Sequence, residues 1–219
     1  MIRVKQLSKS YNSGRSSIDV LSQVTATVPA GTTLAISGKS GSGKTTLLNC
    51  IGGLEKPDSG SVNCFDVDIH SLSTKKLSRF QRRNMGFVFQ FGNLLPYLTV
   101  YENIAFPLIL NQMETEKRVE ELLEKVMLRD LKYAMPHELS GGETQRIAFA
   151  RAIAHFPKIL LADEPTASLD TETGELLVKM MFDMCKKEGC TVIMSTHDRN
   201  LIRYSDNFLT ILDGKMTGK

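Results

Sequence analysis

Residues 38–45 combine glycines, a lysine and hydroxyl side chains at a spacing that can hold phosphate groups. They spell G-K-S-G-S-G-K-T and match the phosphate-loop pattern GxxxxGK[ST] directly after an apolar run. Glycines let backbone N–H groups converge on a phosphate, and a following helix adds its positive N-terminus. Lys44 supplies a mobile cation, and the Thr45 hydroxyl is an oxygen ligand suited to Mg²⁺. The segment therefore predicts a nucleoside triphosphate site.

A second candidate site is the acidic pair Asp163 and Glu164, which ends the apolar run 159–162. A phosphate loop alone leaves kinases, GTPases and ATPases open, so this pair must indicate the reaction. Asp163 can contribute to a Mg²⁺ shell, and Glu164 can polarise an attacking water. Taken alone, the pair also fits a surface turn after a strand. Together with the phosphate loop it favours hydrolysis over phosphoryl transfer.

Three short apolar runs predict the strands that position these residues: 34–37, 159–162 and 191–195. Their continuous, partly β-branched character is typical of parallel strands that are covered on both faces. Residues 174–187, ended by Gly189, predict a crossover helix between the last two strands. The order of elements indicates an α/β fold.

Two further helices are predicted from the middle of the chain. Residues 147–154 form a run of small residues typical of a helix. An earlier stripe has the i, i+3, i+4, i+7, i+8 spacing of an amphipathic helix whose apolar face is core. Its members are Val119, Leu122, Leu123, Val126 and Met127.

Composition limits the class of protein. The chain has 219 residues without internal repeat or linker, so we expect one domain over 1–219. A net charge of +3 is too small to indicate a nucleic-acid partner. The longest apolar run, 104–110, is far shorter than the ~20 residues of a membrane span. With no secretory signal, we expect a cytoplasmic protein whose four cysteines are reduced and buried.

Residues 139–146, L-S-G-G-E-T-Q-R, resemble the LSGGQ signature of ABC ATPases. Other elements of that family follow in order. Tyr11 resembles the adenine-stacking aromatic, Gln90 the Q-loop glutamine, 168–170 the D-loop and His197 the switch histidine. The resemblance covers essentially the whole chain, and Glu143 stands where the commonest motif has glutamine. Ser140 can cap a helix whose amino end offers a second anion site.

The resemblance implies a P-loop NTPase fold of ABC type. Its mainly parallel sheet would be flanked by helices, with an antiparallel β subdomain and a helical signature subdomain at about 91–154. Catalysis would involve Lys44, Gln90, Glu164 and His197, and Mg²⁺ would be held by Thr45, Gln90 and Asp163. ATP would be bound by Tyr11, Gly38, Ser40, Gly41, Ser42, Gly43, Lys44, Thr45, Thr46, Gln90, Ser140, Gly142, Asp163 and His197.

The resemblance also implies partners. Two chains would form a head-to-tail homodimer around two ATP molecules, with Asp170 linking the two sites. Segments 85–96 and 99–108 look like the lipoprotein-releasing, macrolide-exporter and cell-division group. Such a subunit would sit on the inner face of the cell membrane and drive a permease, as an exporter or mechanotransmission system. The apolar cluster Phe91, Leu94, Leu95, Tyr97, Leu98 and Tyr101 would dock the permease, unless it is core of the helical subdomain.

Alternative interpretations stay open at this level. A soluble ATPase of the iron–sulfur assembly type fits the length, and a small-molecule kinase shares the phosphate loop. The basic stretch 75–83 holds five cations and could contact nucleic acid or anionic lipid. A solvated helix face is the simpler interpretation, and no nucleic-acid partner is expected.

Overall fold

Two β-sheets and a set of flanking helices make up the computed structural model, which describes residues 1–13 and 16–217. The strands are β1 (Ile2–Ser13), β2 (Ser16–Val28), β3 (Thr33–Ser37), β4 (Ser59–Cys64), β5 (Val67–Asp68), β6 (Met85–Val88), β7 (Ile159–Asp163), β8 (Thr191–Thr196), β9 (Asn207–Leu212) and β10 (Lys215–Thr217). The α-helices are α1 (Lys44–Gly52), α2 (Thr74–Asn84), α3 (Val100–Leu110), α4 (Glu116–Lys125), α5 (Gly141–Ile153), α6 (Thr171–Lys187) and α7 (Arg199–Ile202).

The larger sheet has six strands in the order β10-β9-β3-β8-β7-β6. All neighbouring pairs from β9 to β6 are parallel, and only β10 runs antiparallel to β9. The crossovers through α1 and α6 place helices against this sheet, as parallel connections require. The predicted α/β fold with a mainly parallel sheet is confirmed.

The central strands are buried on both faces, which explains their unbroken apolar sequences. On β7, Ile159 and Leu161 face a core shared with the smaller sheet, whereas Leu160 and Ala162 face the helical side. Successive side chains of a strand point to opposite faces, so such a strand must be apolar at every position. The three predicted strands are therefore confirmed.

The smaller sheet is antiparallel, in the order β2-β1-β4-β5. Its inward residues, among them Ile2, Leu21 and Val62, pack with α1 and one face of the larger sheet. This is the antiparallel subdomain that the family resemblance implies.

Helices α3, α4 and α5 form a second layer on the opposite face, and their apolar side chains share one core with β6, β7, β8 and α6. Of the predicted stripe, Val119, Leu122, Leu123 and Val126 are buried. The prediction for Met127 is wrong. Helix α4 ends at Lys125, and Met127, which follows it, has a φ of +58° and an exposed side chain. The left-handed turn that ends the helix rotates this side chain out of the stripe.

The crossover helix begins earlier than predicted, because a polar cap extends it. It begins at Thr171 rather than 174, since Asp170 accepts a hydrogen bond from Thr173 N at 3.0 Å. Helix α5 begins at Gly141 with Ser140 as its N-cap, as predicted, and it continues through the run of small residues to Ile153.

All four cysteines are free, buried thiols, as predicted. Burial raises the pKa of both Cys50 and Cys64 to about 12. Among the described residues, none of the helices has the length and apolar character needed to span a bilayer.

Candidate active site

The residues with catalytic chemistry meet at one edge of the larger sheet. The phosphate loop follows β3, Gln90 follows β6, Asp163 ends β7 and His197 follows β8. These strands are parallel, so their carboxyl ends lie side by side. A crevice outside the carboxyl ends of parallel strands is the usual ligand site of open α/β sheets.

The phosphate loop borders an open cleft of about 400 Å³. Gly43, the residue before α1, has a φ of +103°, and a Cβ there would lie 2.6 Å from the carbonyl oxygen of Val20. Glycine is therefore required for the loop to turn into the helix. The cleft is lined by Tyr11, Val20, Ser40, Gly41, Gly43, Lys44, Thr45, Thr46, Gln90 and Glu164.

Lys44 is held in the loop by three partners. Its Nζ donates to the carbonyl oxygens of Gly38 at 2.9 Å and Lys39 at 3.0 Å, and it lies 3.1 Å from Glu164 Oε1. Its side chain is only 4% exposed. A buried ammonium at the mouth of a phosphate loop is a preformed site for a polyphosphate anion.

Asp163 is fixed by hydroxyl groups from two other elements. Thr45 Oγ1 donates to Asp163 Oδ1 at 3.1 Å, and Ser195 Oγ donates to the same oxygen at 2.6 Å. Ser195 in turn accepts a hydrogen bond from the backbone N–H of Glu164 at 2.9 Å. The serine thereby fixes both acidic residues relative to the phosphate loop.

Glu164 lies between Lys44 and His197. Its Oε2 is 3.0 Å from His197 Nδ1, and its backbone has a φ of +43°. Burial favours a raised pKa for this carboxyl, but the Lys44 and His197 contacts outweigh burial and hold the pKa below its ordinary value. A left-handed backbone at a non-glycine residue is strained, and such strain concentrates at functional sites. Glu164 is therefore an ionised carboxylate with a fixed orientation.

The signature segment forms the N-terminus of α5. Ser140 accepts a hydrogen bond from Glu143 N at 3.3 Å, and Glu143 Oε2 accepts from Ser140 N at 2.8 Å. Either Glu or Gln can close this capping box, so glutamate in place of the common glutamine leaves the helix start intact. A Cβ on Gly141 would lie 3.9 Å from Ser168 O, which places the signature beside the D-loop.

Comparison with known proteins identifies the family. The family model described as "ABC transporter" matches residues 21–167. The chain belongs to the ABC transporter family. The Lipoprotein-releasing system ATP-binding protein LolD of Syntrophotalea carbinolica is 41% identical over 221 residues, covering 100% of this chain and 97% of that protein.

Two solved structures of MJ0796 from Methanocaldococcus jannaschii agree with this result. Both are 37% identical to this chain and cover 100% of it and 97% of the solved chain. A dimeric form superposes with a TM-score of 0.93, and a dimeric post-hydrolysis form bound to ADP and Pi with 0.92. The predicted ABC-type fold is confirmed, and the chain is an ABC-type ATPase that serves transport.

Not all predicted site residues of this ABC ATPase share the cleft. His197 does not line the cleft but contacts Glu164, which does; its side chain is 59% exposed and lines a neighbouring pocket with Gly38 and Lys39. Asp163 does not line the cleft but accepts a hydrogen bond from Thr45, which does. The carbonyl oxygen of Gly38 likewise accepts a hydrogen bond from Lys44. Ser42 is buried inside the loop. Ser140 and Gly142 do not line the cleft among the described residues.

The sequence motifs predict no site role for Val20, Ser195 or Gln145. Ser195 pairs in register with Asp163 across β7 and β8, so strand alignment is the signal that indicates it. Gln145, on α5, donates through Nε2 to the carbonyl oxygens of Phe89, at 3.2 Å, and Gln90. The sequence signal that indicates Gln145 is its position within the L-S-G-G-E-T-Q-R segment.

Proposed function

We propose that this ABC ATPase is the ATP-hydrolysing subunit of an exporter or mechanotransmission transporter of the LolD type, and that residues 1–219 act as one catalytic unit. The observation that carries the catalytic part is the Lys44–Glu164–His197 chain of contacts at the mouth of the phosphate loop. The subgroup rests on the full-length similarity to LolD, a protein of a lipoprotein-releasing system.

The position of each site residue determines its role in hydrolysis. Lys44 and the loop N–H groups bind the phosphates, and Tyr11, 40% exposed beside Thr46, offers a ring for the adenine. Glu164 orients and deprotonates the attacking water, while His197 holds the Glu164 carboxylate in place. Gln90 lines the same cleft and contacts the γ-phosphate and the water.

The residues present also fit Mg²⁺. Thr45 and Asp163 bring a hydroxyl and a carboxylate oxygen within 3.1 Å of each other. Hard oxygen ligands of this kind are those that Mg²⁺ prefers, with nucleotide phosphates and water completing the shell. Thr45 and Asp163, with Gln90, would hold the ion, which neutralises charge on the phosphates when bound.

Hydrolysis requires two copies of the chain. The helix end capped by Ser140 is an anion site that lies outside the cleft of its own chain. We place Ser140 and Gly142 of the partner subunit on the γ-phosphate, in a head-to-tail homodimer with two ATP molecules. Asp170, at the N-cap of α6 beside this surface, links the two sites.

The permease docks on the segment after Gln90, which places the subunit on the cytoplasmic face of the membrane. Phe91 is 72% and Tyr97 91% exposed, so two large aromatic side chains face solvent. Leu94 and Tyr101 instead pack against the core of the helical layer. The predicted docking cluster thus divides into an exposed outer part and a partly buried base.

The decisive experiment is the substitution Glu164→Gln. The variant retains Lys44 and the phosphate loop, so it should bind Mg-ATP, but it lacks the carboxylate that activates water. Because ATP binds both subunits of the dimer, the trapped complex should appear by light scattering at twice the monomer mass. The matched control Glu116→Gln, at an exposed position of α4, should hydrolyse ATP at the wild-type rate. A Glu164→Gln protein that stays monomeric at saturating ATP contradicts the proposed dimer.

A further inference from the structure

Helix α2 carries an unusual concentration of positive charge. Five of its eleven residues are lysine or arginine, and it contains no acidic residue. All five are exposed: Lys75, Lys76, Arg79, Arg82 and Arg83. The ATPase mechanism uses none of them.

The helix presents this charge away from the protein. Leu77 and Phe80 pack against the core, and Gln81 Nε2 donates to the carbonyl oxygen of Gly52 at 2.9 Å. Positions 75, 79 and 82 lie on the opposite face of an α-helix. With Ser78, they line an open surface groove of about 400 Å³.

Several cations elsewhere are paired with carboxylates, whereas none of the five on α2 is paired within the described residues. Arg118 contacts Glu121 and Glu188, and Lys132 contacts Glu120. Across residues 1–13 and 16–217, no acidic side chain lies within 4.0 Å of a cation of α2.

Helix stability does not account for all of these charges. Arg82 and Arg83 lie in the last turn, where the helix dipole favours cations, but Lys75 and Lys76 lie in the first turn, where the dipole disfavours them and no acidic residue offsets them. An exposed cluster of unpaired cations, two of them placed against the dipole, indicates an external anionic partner.

An exposed apolar surface adjoins the cationic face. Asn111, which ends α3, donates through Nδ2 to the carbonyl oxygen of Arg82 at 2.9 Å, so the C-termini of α2 and α3 touch. At this end of α3, Ile109 is 62% exposed, and Phe106, Leu110 and Met113 are also exposed. A cationic face beside exposed apolar side chains is typical of a surface that lies in the interface of a bilayer.

The same composition argues against nucleic acid. Surfaces that bind single strands interleave cations with exposed aromatic rings on which bases stack. The aromatic residue of α2, Phe80, instead packs against the core. The neighbouring apolar surface has one exposed ring, Phe106, among the aliphatic side chains Ile109, Leu110 and Met113, so it offers acyl chains an apolar surface but offers bases no series of rings.

We propose that the exposed face of α2, together with the end of α3, binds the anionic headgroups of a lipid bilayer directly. This membrane surface goes beyond the proposed function, because it needs neither the permease nor nucleotide. It would hold the ATPase against the membrane and fix its orientation there.

The test is flotation of the whole protein with vesicles. Wild-type protein should float with phosphatidylcholine vesicles that contain phosphatidylglycerol, and remain in solution with phosphatidylcholine alone. High salt should weaken this binding, since screening shortens the range of surface charges. The triple substitution Lys75→Gln, Arg79→Gln and Arg82→Gln should reduce binding to the anionic vesicles at least about tenfold.

A matched control removes the same charge elsewhere. Lys5→Gln, Lys187→Gln and Lys215→Gln alter three exposed lysines outside α2 and should leave flotation unchanged. Both triple variants should keep the wild-type ATPase rate, which separates this proposal from the proposed function. Equal flotation of the two triple variants overturns the membrane surface, as does failure of the wild type to bind anionic vesicles. Tighter binding of a DNA or RNA oligonucleotide than of vesicles, lost in the α2 variant, overturns it in favour of nucleic acid.

Discussion

Lys44 Nζ lies 3.1 Å from Glu164 Oε1, so the cation of the phosphate loop and the proposed general base form a buried ion pair. The β- and γ-phosphates of ATP would compete with Glu164 for the same ammonium group. We expect nucleotide to draw Lys44 toward the phosphates and to release the carboxylate for the attacking water. ATP binding and activation of the Glu164 base would then occur together.

Replacing Lys44 tests this relationship. Lys44→Ala removes the ammonium that contacts the phosphates, and we expect weaker ATP binding and a fall in turnover of about 10²–10³-fold. Equilibrium binding of a fluorescent ATP analogue and phosphate release measure the two effects. Lys187→Ala, at an exposed position of α6, serves as the control. Wild-type turnover in Lys44→Ala would refute the assignment of the phosphate loop.

Gln145 connects the signature helix to the Q loop. Its side chain, which is buried, donates to the carbonyl oxygens of Phe89 and Gln90. Gln145→Ala leaves both carbonyls without this donor, at a cost of about 1–3 kcal/mol of unfolding free energy.

As a positioning residue, Gln145 should affect turnover more than ATP affinity. We expect kcat to fall about tenfold with KM nearly unchanged, because Gln90 loses its fixed position. Hydrogen exchange of the amides of 89–93 should speed up in Gln145→Ala and not in Gln112→Ala, an exposed control at the end of α3. If Gln145→Ala lowers the free energy of unfolding as expected but leaves kcat unchanged, the role of Gln145 is purely structural.

The docking surface is best tested at Tyr97. This side chain is 91% exposed, so Tyr97→Arg should not disturb folding, whereas Leu95 is partly covered and its N–H donates to Asn103 Oδ1 at 2.8 Å. A charge placed in a buried contact should weaken permease association by several kcal/mol, about 2–4. In cells that also express the permease, Tyr97→Arg should shift from the membrane to the soluble fraction and still bind ATP.

The control for this surface is Tyr133→Arg, since Tyr133 is also exposed but lies outside the segment after Gln90. It should stay with the membrane fraction. If Tyr97→Arg also remains there, the permease docks elsewhere.

Acid should destabilise the protein through His155. Burial lowers the pKa of this imidazole below its ordinary value of 6.5, although the hydrogen bond to Met85 O, 3.1 Å away, opposes the shift. The unfolded chain therefore binds more protons than the folded chain, so this contribution is complete above about pH 6.5 and falls as pH decreases. His70, whose pKa burial also lowers, acts in the same direction.

Denaturant melts as a function of pH measure this effect. Between pH 7 and pH 5 the free energy of unfolding should fall, by at most about 1.4 kcal/mol per pH unit for each histidine. His155→Gln stays neutral and should flatten the slope, whereas His137→Gln, at an exposed position, should not. An unchanged slope in His155→Gln would exclude this residue as a source of the pH dependence.

The sequence by itself determined the parts of the molecule that depend on neighbouring residues. The phosphate loop, which ends in Gly43, Lys44 and Thr45, is predictable from its motif between a strand and a helix, because local backbone angles set the geometry of the loop. The Ser140–Glu143 capping box is equally local. Continuous apolar runs predicted β3, β7 and β8 because strands buried on both faces must be apolar throughout. Local reasoning failed at Met127, since a periodic pattern does not show where a helix ends in a left-handed turn.

Tertiary structure alone decided which distant residues meet. Ser195 bonds Asp163 because β7 and β8 are adjacent and in that register, and no spacing within 219 residues specifies which strands become neighbours. Gln145 reaches the Q loop because α5 packs beside β6. The unpaired face of α2 is likewise visible only once the positions of the acidic side chains are known. These contacts join residues far apart in sequence, and folding selects them through burial of a shared core rather than through local preference.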